Sequence, residues 1–169
     1  MRITTLLAGA LVAVVSGLQA AEIPARHPLA GTWTLRRADV IQTDGTQVSD
    51  PAYGPDAQGL LMVDDEGRYS IQIFRPERPK FASGDKRRGT PEEFQAALSG
   101  ISTHVGHIVV DAANHTLIFR IDHSAFPNWD HTEQRREYRL IDGELTYKVP
   151  QSPGGTTPVS VWQRVEGRR

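Results

Sequence analysis

The run Thr132-Glu133-Gln134-Arg135-Arg136-Glu137-Tyr138-Arg139-Leu140-Ile141, closed by Asp142-Gly143 and followed by Glu144-Leu145-Thr146-Tyr147-Lys148-Val149, decides the fold. Side chains of an extended chain alternate between two faces. One face therefore carries Glu133, Arg135, Glu137 and Arg139, and opposite charges alternating along a face describe a solvated exterior. The other face carries Gln134, Arg136, Tyr138 and Leu140, an amide, a guanidinium and a phenol that each need a hydrogen-bond partner if enclosed. Asp142-Gly143 between two alternating runs tolerates positive φ and predicts a tight antiparallel hairpin.

The same period of two extends outward in both directions. Strands are expected at about 31–41, 58–64, 67–75, 103–111, 115–123, 132–141, 144–149 and 158–165. Asp65-Glu66-Gly67 and Ala112-Ala113-Asn114 supply further short turns. Eight strands joined mostly by hairpins form a meander, and closure into a barrel removes its two edges. A single helix interrupts the pattern. Thr90-Pro91-Glu92-Glu93 reads as a capping box with proline at the first helical position, and Phe94, Ala97, Leu98 and Ile101 follow at helical spacing. An apolar stripe needs cover, so the helix is expected as a lid across one open barrel end. The stretch from Arg75 to Gly89 lacks periodicity and reads as a long loop.

Composition narrows the class. The 169 residues include 19 Lys plus Arg against 20 Asp plus Glu, a formal charge of -1, and no cysteine. That balance gives no electrostatic drive toward nucleic acid or an anionic membrane, and the lack of cysteine removes disulfides, thiolate metal sites and cysteine nucleophiles. Arg2, the apolar run Leu6 to Val15 and the small residues up to Ala20 form a secretory signal pattern, with cleavage expected near Ala20. The run is shorter than the roughly 20 residues a bilayer span requires. The division expected is a signal peptide at 1–20, a flexible 21–30, a barrel at 31–166 and a tail at 167–169, exported to the periplasm or beyond, monomeric and free of membrane in its mature form.

Several motifs then stand in a telling order. Gly31-Thr32-Trp33 opens the first strand, Tyr53-Gly54-Pro55 precedes the second, and Arg75-Pro76 is followed by Arg78-Pro79-Lys80-Phe81-Ala82-Ser83-Gly84-Asp85. After the Thr90-Pro91-Glu92-Glu93 helix start come Phe126-Pro127-Asn128-Trp129, Glu133-Gln134 and Arg136. Together these resemble the bacterial and fungal lipocalin-like domain family over nearly the whole mature chain. The resemblance implies an all-β, eight-stranded antiparallel barrel of calycin type with one short helix covering an open end. It implies no settled activity, since relatives of this shape include carriers of small hydrophobic molecules and cyclases. It also pairs Trp33 with Arg164 as the structural closure of one barrel end.

Parity sorts the candidate site. Inward rows are expected from Tyr69, Ile71, Ile73 and Arg75, from Leu117, Phe119, Ile121 and His123, and from Gln134, Arg136, Tyr138 and Leu140, with Leu140 at the dry end. Arg75, His123, Gln134, Arg136 and Tyr138, with Trp129 beside them, would line a pocket for a small hydrophobic or amphipathic molecule bearing an oxygen or carboxylate, held by paired guanidinium donors. The alternative for Arg136 is purely internal, a guanidinium satisfied by backbone carbonyls or spread over an aromatic ring. A second function uses the same lumen for cofactor-free isomerisation or cyclisation, with His123 or Tyr138 exchanging a proton and Arg136 or Arg75 stabilising an enolate. A third treats the 75–89 loop as a protein-contact surface. No metal is expected: His104 and His107, three apart on a strand, face opposite ways, and His123 with His131 lacks a tight ligand spacing. Neither a Gly-x-Ser-x-Gly elbow nor a dinucleotide or phosphate loop is present, so no cofactor is expected.

Overall fold

A computed structural model describes residues 26–166. The expected signal peptide at 1–20 and the expected tail at 167–169 lie outside the described residues. In chain order the elements are β1 (Gly31–Ile41), β2 (Gln47–Ser49), β3 (Gln58–Val63), β4 (Arg68–Phe74), α1 (Pro91–Ser99), β5 (Ile101–Asp111), β6 (Thr116–Ser124), β7 (Thr132–Ile141), β8 (Glu144–Lys148) and β9 (Thr157–Arg164). Neighbouring strands pair antiparallel from β1 through β3 to β9, and β9 returns to β1, so eight strands close a barrel. The ninth strand, β2, was not expected from the sequence. β3 pairs only with Gly31 to Thr34 of β1, leaving the far half of that edge bare. β2 folds back to cover it, with Asp39, Val40 and Ile41 opposite Ser49, Val48 and Gln47.

One end of the barrel is packed shut. Leu29, Trp33, Leu61, Ile108 and Leu117 are fully buried there. The Trp33 indole donates to the Leu29 carbonyl at 2.9 Å, which turns residues 27–30 inward beneath the first strand. Arg164 lies opposite Trp33 in the β1–β9 ladder. Its guanidinium stacks 4.1 Å from the Trp33 ring and donates to the carbonyls of Ala30 at 2.5 Å and Pro28 at 3.0 Å. The pair holds the N-terminal segment as a stopper, combining cation–π contact with two satisfied carbonyls.

The helix forms as the capping box requires. The Glu93 amide donates to the Thr90 hydroxyl, the Thr90 amide donates to the Glu93 carboxylate at 2.8 Å, and the other oxygen of that carboxylate accepts from the Ala82 amide at 2.7 Å. Glu93 therefore ties the preceding loop to the helix start, and Phe81 packs against Phe94 at 5.3 Å. Yet no residue of α1 is buried. The helix flanks the open end beside the start of β5 instead of plugging it. The lid expectation is corrected to this extent: the loop, through Phe81, covers part of the apolar stripe that the barrel interior was expected to take.

Candidate functional site

The open end holds a cavity of about 390 Å³. Its walls come from the ends of strands that meet there. β4 contributes Ile71 and Ile73, β5 contributes Ser102 and His104, β7 contributes Gln134 and Arg136, and β8 and β9 contribute Tyr147 and Ser160. Phe126 and Trp129, from the turn after β6, stand at the mouth, with Tyr53 and Asp50 on one side and Val149 to Pro153 on the other. An apolar chamber with a few convergent polar groups is the usual form of a small-molecule site.

Arg136 dominates its chemistry. The residue is 2% exposed, and among the described residues no carboxylate lies within ion-pair distance of it. One terminal nitrogen donates to the Gln134 side-chain oxygen at 2.8 Å, and Nε has no partner. The guanidinium carbon lies 4.0 Å from the centre of the Phe119 ring and 5.2 Å from that of Tyr147. Those π faces stabilise a cation without using its N–H donors, and the Tyr147 hydroxyl is a second side-chain acceptor close to the guanidinium. Burial holds the guanidinium below its ordinary pKa, but arginine stays charged at any physiological pH. A fixed positive charge in a low-dielectric chamber with spare donors is a site for an anionic or strongly accepting oxygen.

Beside it, Tyr69 and His104 form a buried pair, the phenol oxygen 2.7 Å from Nδ1. Burial first, and the Arg136 charge second, lower the His104 pKa to about 3, so the imidazole is neutral near pH 7. Burial raises the Tyr69 phenol well above its ordinary value. Each group is locked in its neutral form. Asp50, at the mouth, accepts from the Ala52 amide at 2.8 Å, and burial raises its pKa.

The structure brings Trp129, Gln134 and Arg136 together on the cavity wall and separates the other three expected residues from it. His123 is exposed and stands outside, 3.6 Å from the Asp130 carboxylate. The reason is a bulge: Val105 pairs with His123 but Gly106 with Ile121, so Asp122 is an extra residue that reverses the parity beyond it. Arg75 lies one residue past the end of β4. Its guanidinium donates to the Pro51 carbonyl and its amide to Gly100 at 2.8 Å, so it braces the rim from outside the chamber. Tyr138 is half-buried against the core but does not line the cavity, being two residues further toward the closed end than Arg136. Leu140 is not at a dry end either. β6 pairs with β7 only as far as Glu137, so Leu140 runs past the barrel wall and is 39% exposed.

His104, Tyr69 and Tyr147 were not among the expected site residues. Tyr69 was placed inward, and His104 could have been: His104, Gly106 and Ile108 share the buried face of β5. His107 faces away and contacts the Glu66 carbonyl at 2.6 Å. Among the described residues no group of three or more metal-ligating side chains is gathered, and no helix is long and apolar enough to cross a membrane.

Residues 30–165 match the lipocalin-like domain family. The chain belongs to that family. Among solved structures, this lipocalin-like chain is similar to a lipocalin-like protein from Bacteroides uniformis ATCC 8492, at 14% identity and a TM-score of 0.41, with 81% of this chain and 98% of that one covered. A mutant of the fluorescent protein UnaG is similar at 16% identity and a TM-score of 0.37, covering 81% and 96%. Both likenesses are too distant to carry a functional argument. Among curated proteins none matches the chain.

Proposed function

We propose that this lipocalin-like barrel is an exported binding protein that holds a small amphipathic molecule in its lumen, with an anionic or carbonyl oxygen of that molecule seated on Arg136. The observation that carries the reading is a fully buried guanidinium, without a carboxylate partner among the described residues, on the wall of a 390 Å³ cavity. An unpaired buried charge costs several kcal/mol, and a ligand oxygen would offset that cost where the protein's own groups do not.

The Tyr69–His104 hydrogen bond beside the cavity is the one observation that favours an isomerase or cyclase. General acid–base catalysis needs a group whose pKa lies near the working pH. His104 is held at about 3 and Tyr69 is pushed upward, so both are poor proton carriers and good fixed dipoles. Binding is the better-supported use of the same residues.

Native mass spectrometry of the mature protein, purified from its own cells by gentle extraction, tests the reading. The expected result is a carried small molecule, released on unfolding and lost in Arg136→Met. A protein that arrives empty, and that binds no member of a panel of amphipathic carboxylates in calorimetry, would overturn it.

A further inference from the structure

Two hydrogen bonds on the lumen wall fix which way their partners face. The first joins the Tyr69 phenol to His104 Nδ1 at 2.7 Å. A phenol is a stronger acid than a neutral imidazole N–H, and an imidazole nitrogen is a stronger base than a phenol oxygen, so the phenol donates and Nδ1 accepts. The one ring proton of neutral His104 is then on Nε2. The second bond runs from an Arg136 terminal nitrogen to the Gln134 side-chain oxygen at 2.8 Å. A guanidinium holds donors only, so it meets the oxygen end of the amide and leaves the NH2 end turned away.

Neither of the groups left over is spent. His104 Nε2 and the Gln134 amide nitrogen make no hydrogen bond among the described residues, and neither is one of the buried polar atoms shut away without a partner. Both side chains line the cavity, so both groups open onto it. Phe119 and Trp129 stand edge to face around the His104 ring, their centres 6.0 and 5.9 Å away, and hold its plane without offering Nε2 an acceptor. The Arg136 charge is close enough to disfavour a second proton on the ring. This part of the wall therefore presents N–H groups. The Tyr147 and Ser160 hydroxyls beside it turn either way.

We propose that His104 and Gln134 are specificity-determining residues of the lumen, set by Tyr69 and Arg136 to present donors alone, so that the site selects a ligand group made of acceptors and rejects one carrying N–H. Tyr69 is a positioning residue, acting on the ligand through the tautomer of His104. The inference rests on the binding function proposed above and adds the rule by which that site discriminates. An acceptor oxygen satisfies the N–H groups of Arg136, Gln134 and His104. An amide of the same shape brings N–H against N–H, and donors on both sides lose water without gaining a partner.

Two measurements on the mature protein test this. Nitrogen NMR of histidine-labelled protein is expected to show His104 with Nδ1 bare and Nε2 protonated, with no second proton down to about pH 5. Tyr69→Phe is expected to give a mixture of both tautomers. Calorimetry then uses naphthoate, its methyl ketone acetonaphthone and its amide naphthamide, all substituted at the same ring carbon. Ketone and amide are neutral and differ by methyl against NH2, and comparing their affinity ratio between proteins cancels their difference in water. Tyr69→Phe is expected to lower the ketone-to-amide ratio about threefold. Gln134→Glu keeps an oxygen for Arg136 but replaces the NH2 with an acceptor, and is expected to lower the ratio about tenfold. A wild-type His104 carrying its proton on Nδ1, or a ratio unchanged in both variants, overturns the selectivity while naphthoate binding keeps the binding reading intact. A wild type that binds none of the three overturns both. Far-UV circular dichroism of each variant separates lost contact from lost fold.

Discussion

Arg136 has two uses that the sequence alone leaves open, a hold for a ligand or an internal prop, and they predict opposite signs for one substitution. A prop that braces Phe119 and Tyr147 would be missed, and Arg136→Met would destabilise the barrel by a few kcal/mol. A cation kept for a ligand is a burden to the empty protein, and methionine of similar length would relieve it. The chamber offers Arg136 the Gln134 amide oxygen and the Tyr147 hydroxyl, and leaves Nε unpartnered. Arg136→Met is therefore expected to leave the ligand-free protein as stable as the wild type or more stable, by about 1–3 kcal/mol. Its affinity for a carboxylate is expected to fall by about 10- to 100-fold. Urea denaturation of the empty protein, set beside calorimetry, reads both, and a large loss of stability would assign Arg136 to structure. His104 carries a second prediction at this scale. Its pKa is lowered from 6.5 to about 3 by burial, so below pH 6.5 the unfolded chain takes up a proton that the folded one refuses. The contribution is fully present above pH 6.5 and is lost as pH falls toward 3, by up to about 1.4 kcal/mol per unit. His27, also lowered by burial, acts in the same direction. His104→Gln keeps a hydrogen-bonding partner for Tyr69 and removes the titration. Denaturation midpoints from pH 7 to 4 should converge with the wild type's toward acid, and parallel curves would refute the assignment.

At the level of elements, alternation placed the strands well because most of these strands have one face toward the core and one toward water. The β4 row of Tyr69, Ile71 and Ile73 is buried as parity requires, and so are Leu117, Phe119 and Ile121 on β6. Parity counting fails where the ladder gains a residue, and that is how His123 was misplaced. A signal was present: a lone glycine inside a strand often marks a bulge or a close backbone approach. Gly106 is such a residue, since a Cβ there would lie 2.0 Å from the Arg120 carbonyl oxygen. Gly106→Ala is expected to destabilise the protein by about 3 kcal/mol, because the obstacle is backbone and cannot rotate away. Thermal unfolding checks this, and a variant within 0.5 kcal/mol of wild type would mean that the β5–β6 ladder shifts register at no cost, within the roughly 0.5 kcal/mol typical of neutral substitutions. Neither β2 nor the position of α1 was legible. Three residues carry too little alternation to register, and the Thr90 capping box specifies where a helix starts without saying what it packs against.

The molecule divides its work between two ends of one barrel. At one end Arg164 stacks on Trp33 and satisfies the carbonyls of Pro28 and Ala30, closing the core. At the other end Arg136, likewise stacked on an aromatic ring, keeps Nε without a partner and faces a cavity. Two arginines over two aromatic rings thus have opposite energetic roles, set by whether carbonyls are within reach. Arg164→Leu is expected to cost about 2 kcal/mol of stability, since it removes the stacking on Trp33 and strands the part-buried Ala30 carbonyl, and to leave carboxylate affinity unchanged. The two residues share no partner, so their effects should add: in a double-mutant cycle of Arg164→Leu with Arg136→Met, the coupling in unfolding free energy is expected to stay within about 0.5 kcal/mol. A larger coupling, or a fall in affinity on replacing Arg164 alone, would mean that the stopper is felt across the barrel. In that case the closed end would help set the shape of the chamber, and ligand binding should in turn protect the amides of residues 27–33 from hydrogen exchange.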